Sequence, residues 1–434
     1  MSDGPRPKIL VLAEAANPDM VSVPLVGWSL TAALRDVADV HLVTQIRNRD
    51  AILRAGLVEG RDFTAINSER VARPLWQLTR LLGVGGASNK GWTISQAITV
   101  ISDAYFERLV WKQFGARIKA GEWDVVHRIT PLSPVKPSFA GCKTAAAGVP
   151  FVMGPLNGGV PWPEGFEAAR NKEREWLSKV RGAVKLLPGR KATWRAAKAI
   201  LVGSRHTQSE IADEYRDKTI YIPENGIVGS AFSPDNPAGP PHIPLRACFV
   251  GRLVPYKGPD MLIRAAAPLL RAGTLRLELI GNGPMLAELK ALARAEQVED
   301  AITFHGHLKH ADVAQTMKGC DFLAFPSIRE FGGGVVLEAM ALGLPPLIVD
   351  YAGPGELVSP EWGFKVPVNA PDRLIADFRA QLEQIVRDPS ILGPRGVAAQ
   401  ARVSDKFLWS RKAEQMLDVY DWVRGIRADK PQPF

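Results

Sequence analysis

The chain alternates between short apolar runs and amphipathic stretches, and it does so in two separate series. In the first, Lys8 to Ala13, Asp39 to Thr44, Asp124 to His127, Pro150 to Met153 and Ala199 to Gly203 read as strands, with a helix expected over Gly27 to Val37. In the second, Arg246 to Val250, Arg276 to Ile280, Ile302 to His305, Phe322 to Pro326 and Pro346 to Val349 read as strands. Helices are expected there over Pro259 to Leu270 and Met285 to Ala295. Runs this short with helices between them imply parallel strands covered on both faces. Between the series, Ser233 to Pro244 (Ser-Pro-Asp-Asn-Pro-Ala-Gly-Pro-Pro-His-Ile-Pro) is a stiff linker. The expectation is an α/β chain of two doubly wound domains, 1–232 and 245–407, joined by linker 233–244. Ligands in such sheets bind beyond the carboxyl ends of the strands, and two facing sheets would enclose an interdomain cleft.

One turn in the second series carries the strongest chemical signal. Asp321 to Ser327 leads into Arg329-Glu-Phe-Gly-Gly-Gly-Val-Val-Leu-Glu-Ala-Met-Ala341, with a helix expected over Val335 to Leu342. Gly332, Gly333 and Gly334 then lie at a helix N-terminus, where backbone N–H groups are unsatisfied and glycine admits a ligand closely. Glu330 and Glu338 flank them. On one helix, eight steps of about 100° would leave the two carboxylates roughly 80° apart and about 12 Å along the axis. With Glu330 before the helix and Glu338 in its second turn, both can address a long, hydroxyl-rich ligand. The blander alternative is a loop cap and a solvated helix residue. Domain two also opens with Phe249-Val-Gly-Arg-Leu-Val-Pro-Tyr-Lys-Gly258. Arg252 and Lys257 there follow a strand, where a guanidinium fork and an ammonium suit phosphate.

Composition narrows the partners. A net charge of +9 admits phosphates, acidic membrane surfaces or nucleic acid. Ten basic residues crowd Arg170 to Lys198 (Arg170, Lys172, Arg174, Lys179, Arg181, Lys185, Arg190, Lys191, Arg195 and Lys198), with Trp176 and Trp194 among the apolar positions. The segment reads either as a solvated helix face or as an interfacial helix drawn to anionic lipid. Residues 74–114 read first as an ordinary helical hairpin packed on the sheet; the alternative is that its greasy glycine-rich loop, Gly83 to Trp92, lies beside a cleft and meets a lipid acceptor. Cys142, Cys248 and Cys320 form no disulfide framework, pointing to the reducing cytoplasm. No apolar run approaches a membrane span, and the N-terminus lacks the core of a signal peptide.

Taken in order, Pro223-Glu-Asn-Gly226, Gly251-Arg252 with Lys257-Gly258, Gly281-Asn-Gly-Pro284 and the Glu330/Glu338 pair with Glu338-Ala-Met-Ala341 resemble the retaining nucleotide-sugar glycosyltransferases of family four, group 1. The resemblance covers nearly the whole chain and is strongest from Leu201 to Val358. It implies the GT-B fold, two Rossmann-like domains facing across a cleft, with Trp409 to Trp422 as a last helix (about 408–434) completing the first, acceptor, domain. It implies that Arg252 and Lys257 grip the donor diphosphate and that Glu330 binds donor sugar hydroxyls beside Gly332, Gly333 and Gly334. Glu338 would hold the ribose, and the loop after Ile302 to His305, with His305, would frame the base. Gly281 and Gly283 join the donor side. The family needs no metal, and the chain has no Asp-x-Asp pair. No cofactor is expected beyond the nucleotide sugar as substrate. The acceptor would be a saccharide or lipid-linked saccharide, met in the cytoplasm or on the inner face of the membrane.

The first domain matches more loosely. Where the family carries paired glycines after its first strand, only Gly27 is available. Asp124-Val-Val-His-Arg-Ile-Thr-Pro131 resembles the strand end bearing the family's active-site histidine; His127 is kept while Ile129 fills the second histidine's place. His127 is thus a site histidine or a core one. Gly158 and Gly159, in Gly154-Pro-Leu-Asn-Gly-Gly159, are expected on the acceptor side. His305 and His307 lack a third metal ligand. Without a Gly-x-Gly-x-x-Gly turn, a Gly-x-Ser-x-Gly elbow or a phosphate-loop lysine motif, dinucleotide oxidoreductases, serine hydrolases and phosphate-loop enzymes are disfavoured. Rival readings are a sugar-nucleotide epimerase or phosphorylase of the same fold, and a non-catalytic, membrane-docked sugar-nucleotide binder. A nucleic-acid binder, suggested by charge alone, lacks a reader motif.

Overall fold

The apolar runs become parallel strands. The structure is a computed structural model and describes residues 6–81, 92–172, 188–229, 232 and 240–434. Seven strands form one sheet in the order β3-β2-β1-β4-β5-β6-β7: β1 (Lys8–Ala13), β2 (Asp39–Gln45), β3 (Phe63–Ile66), β4 (Val125–Thr130), β5 (Phe151–Leu156), β6 (Ala199–Val202) and β7 (Thr219–Tyr221). Six form the other in the order β10-β9-β8-β11-β12-β13: β8 (Leu245–Val250), β9 (Leu275–Ile280), β10 (Ile302–Gly306), β11 (Phe322–Phe325), β12 (Pro346–Asp350) and β13 (Phe364–Pro367). The strand-to-strand pairings are parallel, as in β1 with β2 and β4, and β8 with β9 and β11.

Burial on both faces explains the lack of polar alternation. In β1, Ile9, Val11 and Ala13 pack with Leu30 and Leu34 of the helix Val23–Leu34 and with Met416 and Tyr420 of the helix Trp409–Val423. Leu10 and Leu12 point the other way, into a cluster with Phe106, Val110 and Phe114. The period of two puts successive apolar side chains into different cores. The chain therefore forms two doubly wound α/β sheets.

The chain divides into two compact units: one contains Met1–Gly159, Arg174–Glu224 and Trp409–Phe434, and the other Val160–Glu173 and Asn225–Leu408. Most of the linker, 233–239, lies outside the described residues, as do the loop residues 82–91 and the basic stretch 173–187. No helix among the described residues is long and apolar enough to cross a membrane.

Three strands, β3, β7 and β13, were not expected from the sequence. Each is short, and each lies at a sheet edge. The first helix begins at Val23 rather than Gly27, with Pro24 in its first turn, where a missing N–H costs nothing. Strand β4 runs on to Thr130, three residues beyond the expected end.

Candidate functional site

In the second sheet the strand order reverses between β8 and β11, and the loops after these two strands meet at their carboxyl ends. After β8 the chain passes Gly251 to Val254 and makes a single 3-10 turn, Pro255–Lys257. Gly258 then adopts φ +69° and opens the helix Pro259–Arg271; a Cβ there would meet the Pro326 carbonyl at 2.7 Å. The two loops are tied further by Ile328 N–H donating to the Tyr256 carbonyl at 2.9 Å. Arg252 is exposed and makes no ion pair among the described residues.

The glycines of Gly281-Asn-Gly-Pro284 have a packing reason. Leu253 N–H donates to the Asn282 carbonyl at 3.0 Å, so the loops after β8 and β9 lie directly together. A Cβ on Gly281 would sit 1.9 Å from the Gly251 carbonyl oxygen, and one on Gly283 would sit 2.3 Å from that of Leu253. These glycines therefore shape the Arg252 loop through its backbone.

After β11, Gly333 takes a left-handed conformation (φ +58°) and caps the helix Gly334–Ala341. A Cβ on it would press on Leu357 at 2.7 Å. The N–H groups of Gly333, Gly334 and Val335 find no protein acceptor among the described residues. Asn225 Nδ2 donates to the Gly332 carbonyl at 2.8 Å, steadying the turn. Arg329 is buried, donates to the Val160 carbonyl at 3.3 Å and lies over the Trp162 ring, so it is structural.

The Lys257 ammonium contacts the Glu330 carboxylate. Both side chains are mostly buried, 14% and 19% exposed. Burial draws Lys257 down to about 7. The Phe325 ring lies 4.9 Å from the ammonium. A cation, a carboxylate and unfilled helix N–H groups thus converge at one set of strand ends.

Glu338 lies on the helix Gly334–Ala341 and receives His310 Nε2 at 2.9 Å. The carboxylate raises the His310 pKa through this hydrogen bond. His310 was not singled out in the sequence; its signal was a titratable side chain at the first position of the helix His310–Lys318, just beyond β10. His305, expected on the donor side, instead pairs across strands with Glu278 at 2.7 Å. Its ring is committed to β9, while His310 reaches the candidate site.

The first unit gives a different outcome for its histidine. His127 on β4 is fully buried. Its Nε2 lies 2.7 Å from the Gly154 carbonyl, which can only accept, so Nε2 carries the proton. Nδ1 then accepts from the Tyr420 hydroxyl at 2.7 Å. Burial lowers its pKa to about 4. With both nitrogens engaged and no exposed surface, His127 is a core histidine, and the expectation of a site role is corrected. Gly27 is also buried: a Cβ there would lie 2.2 Å from the Ala15 carbonyl, so it lets the helix Val23–Leu34 approach the loop after β1. That is packing, in place of the expected donor contact.

Gly158 and Gly159 follow β5 with φ of +143° and +80°. Asn157 before them is buried and donates to Glu224 Oε1 at 2.6 Å. Glu224 in turn faces Lys412, whose ammonium donates to the Pro223 carbonyl. Beyond β1, β2 and β4 lies a polar cluster the sequence did not reveal. Arg47 joins Glu14 (2.9 Å) and Glu69 (3.5 Å), and Lys136 contacts Asp103. Burial, followed by Asp103, raises the Glu14 pKa.

A cavity of about 500 Å³ opens elsewhere in this unit, beside the amino ends of β1 and β2. Its arginines are matched: Arg35 and Arg61 to Asp62, Arg6 to Asp39 and Arg117 to Glu122. It lies at the wrong end of the strands for the site described above. Among the described residues no three His, Cys, Asp or Glu side chains are grouped to hold a metal ion. Of the basic segment, Arg170, Lys172, Arg190, Lys191, Arg195 and Lys198 fall within the described residues, and Trp194 is buried with Arg190 stacked over its ring at 4.2 Å. Trp194 is therefore a core residue and not an interfacial anchor.

Two doubly wound sheets, with a cation–carboxylate–glycine turn at the switch point of one, define the GT-B class of glycosyltransferase folds. A glycosyltransferase from Rickettsia africae has a TM-score of 0.62 at 15% identity, with 96% of this chain and 98% of that one covered. Anabaena HepE, solved in complex with UDP, has a TM-score of 0.62 at 18% identity, with 95% and 99% covered. The particular family enters through the second unit. Residues 236–389 match the family model described as glycosyl transferases group 1, so the resemblance carried by the motifs is borne out. D-inositol 3-phosphate glycosyltransferase of Gordonia bronchialis is 32% identical over 183 residues, 40% of this chain and 39% of that protein. A GDP-mannose-dependent monoacylated alpha-(1-6)-phosphatidylinositol monomannoside mannosyltransferase of Corynebacterium glutamicum is 31% identical over 185 residues, 41% and 46%. The match spans about two fifths of the length of the first curated relatives.

Proposed function

We propose that the protein is a retaining, metal-independent glycosyltransferase that moves a hexosyl group from a nucleoside-diphosphate sugar to a hydroxyl acceptor. The acceptor in this reading is a lipid-linked saccharide or a precursor of a cell-surface polysaccharide, met at the cytoplasmic face of a membrane. The observation that carries the reading is the Lys257–Glu330 contact beside the open N–H groups of the glycine turn. Without substrate the two charges satisfy each other. A donor would divide the pair, with Lys257 and Arg252 turning to the diphosphate and Glu330 to the sugar hydroxyls. Glu338 would hold the ribose. The relatives' names, which specify inositol phosphate and a phosphatidylinositol mannoside, support a hydroxyl-bearing acceptor that carries phosphate or lipid.

The chemistry follows from charge. The bond from the anomeric carbon to the diphosphate oxygen breaks, and its electron pair goes to that oxygen. Arg252, Lys257 and the helix N–H groups stabilise the growing negative charge. The acceptor oxygen bonds to the anomeric carbon on the same face, and its proton passes to the departing phosphate oxygen. No protein nucleophile is required.

The test is a screen of nucleotide sugars for slow donor hydrolysis, run with and without EDTA. One donor should be hydrolysed and the rate should survive chelation, because Arg252 and Lys257 stand where a cation would otherwise meet phosphate. Loss in EDTA that magnesium or manganese restores would overturn metal independence. On calorimetry with the free nucleoside diphosphate, Glu338→Ala should bind weakly while Glu330→Ala binds normally but turns over poorly. Equal losses would overturn the roles.

A further inference from the structure

The contact between His310 and Glu338 joins two elements that the motifs treat separately, the helix His310–Lys318 after β10 and the glycine-turn helix. A carboxylate can only accept, so the 2.9 Å contact requires a proton on His310 Nε2. It engages Oε1 and leaves Oε2 without a protein partner among the described residues. Phe232, itself buried, lies against the imidazole at 5.3 Å with the rings tilted by 58°. The histidine is the more exposed member, 59% against 21% for Glu338, so its loss would leave little unfilled space.

We propose that His310 is a positioning residue for the ribose of the donor: by holding one oxygen of Glu338 it fixes the carboxylate plane and presents the other oxygen to the sugar hydroxyls. This rests on the donor reading given above. An unheld glutamate on a helix would sample several rotamers, and ordering it would weaken each ribose contact. His310 thereby makes the site selective for ribonucleotides over their deoxy counterparts without touching the nucleotide.

Calorimetry separates the alternatives. UDP, GDP and ADP, each with its 2′-deoxy form, are titrated into wild type, Glu338→Gln, His310→Ala and His310→Gln. Melting temperatures are recorded to confirm folding. Wild type should prefer one ribonucleotide over its deoxy form by about tenfold or more, the scale of a hydrogen bond to a charged group. His310→Ala should reduce that preference to about twofold while leaving deoxynucleotide affinity unchanged, and His310→Gln, which keeps an N–H donor, should restore part of it. A merely structural role would weaken both forms equally, and that outcome overturns the inference, as does an undiminished preference in His310→Ala. If wild type binds none of the nucleotides, the donor reading itself falls and takes the inference with it. If wild type shows the preference, Glu338→Gln reduces it and the His310 variants match wild type, only the inference falls.

Discussion

One lysine in each unit, Lys257 and Lys412, is drawn down to about 7 by burial. Lys412, on the helix Trp409–Val423, is 1% exposed, donates to the Pro223 carbonyl and has Glu224 as its charge partner. Glu224 is itself held by Asn157. Lys257 contacts Glu330 on a turn at strand carboxyl ends, beside helix N–H groups with no protein acceptor among the described residues. The same perturbation thus marks a closed, solvent-excluded network in one unit and a partly exposed one at strand carboxyl ends in the other. A shifted pKa alone does not identify a site. Exposure at strand ends, beside backbone N–H groups open to a ligand, is what separates the Lys257 environment from that of Lys412.

The largest effect should come from the closed network. Lys412→Ala leaves Glu224 buried without its cation, a change that typically costs about 3–5 kcal/mol. Thermal melting should show a drop of several degrees, with nucleotide binding retained by the protein that remains folded. Lys257→Ala should do the reverse. Glu330 is partly exposed and can rehydrate, so the melting temperature should change little. Donor hydrolysis should fall roughly ten- to hundredfold, the scale of one lost charge-assisted contact to phosphate. If Lys257→Ala destabilises as much as Lys412→Ala, the distinction between the two regions collapses.

The candidate site of the second unit was more legible in the sequence than that of the first, for physical reasons. Glu330, Lys257 and the three glycines are local: each follows a strand, and their chemistry is written in neighbouring residues. His127 could not be assigned that way, because its role depends on Tyr420, 293 positions away, and on the Gly154 carbonyl. His310 was missed for the same reason, since its partner Glu338 is 28 residues on. The central strands were legible because burial on both faces makes them continuously apolar. The edge strands β3, β7 and β13 are short and have a neighbour on one side only, so no comparable run marks them. Gly27 and Gly281 were read as ligand glycines, whereas close backbone approach is what the structure shows for them.

The pH dependence of stability sharpens the lysine comparison at smaller scale. A lysine lowered from 10.5 to about 7 on folding holds fewer protons in the folded chain than in the unfolded one between those values. Its stabilising contribution is complete above about 10.5 and is lost as pH falls through 7. Stability should therefore rise from neutral pH toward pH 9 or so, within that window. Lys412→Met and Lys257→Met should each flatten the rise to a similar degree in urea unfolding series at several pH values, because burial draws both lysines down to about 7. An unchanged rise in either variant would show that its lysine does not titrate within that window.

The smallest expected effect concerns the basic segment 170–198, whose bulk, 173–187, lies outside the described residues. Its described end already divides as the two lysines do. Arg190 stacks on the buried Trp194 and is lowered by burial, so it belongs to packing, whereas Lys191 is exposed and free to meet a surface. If the segment docks the protein on anionic lipid, attraction should come from the exposed cations and weaken with salt. Charge reversal at Lys191 together with Arg181 and Lys185 should then lower co-sedimentation with phosphatidylserine vesicles several-fold at low ionic strength. Donor hydrolysis should be unchanged. Arg190→Glu should instead lower the melting temperature, because it removes a stacked guanidinium from the Trp194 ring. Wild-type protein that ignores such vesicles at low salt would assign the whole segment to a solvated face, and a soluble acceptor would replace the lipid-linked one.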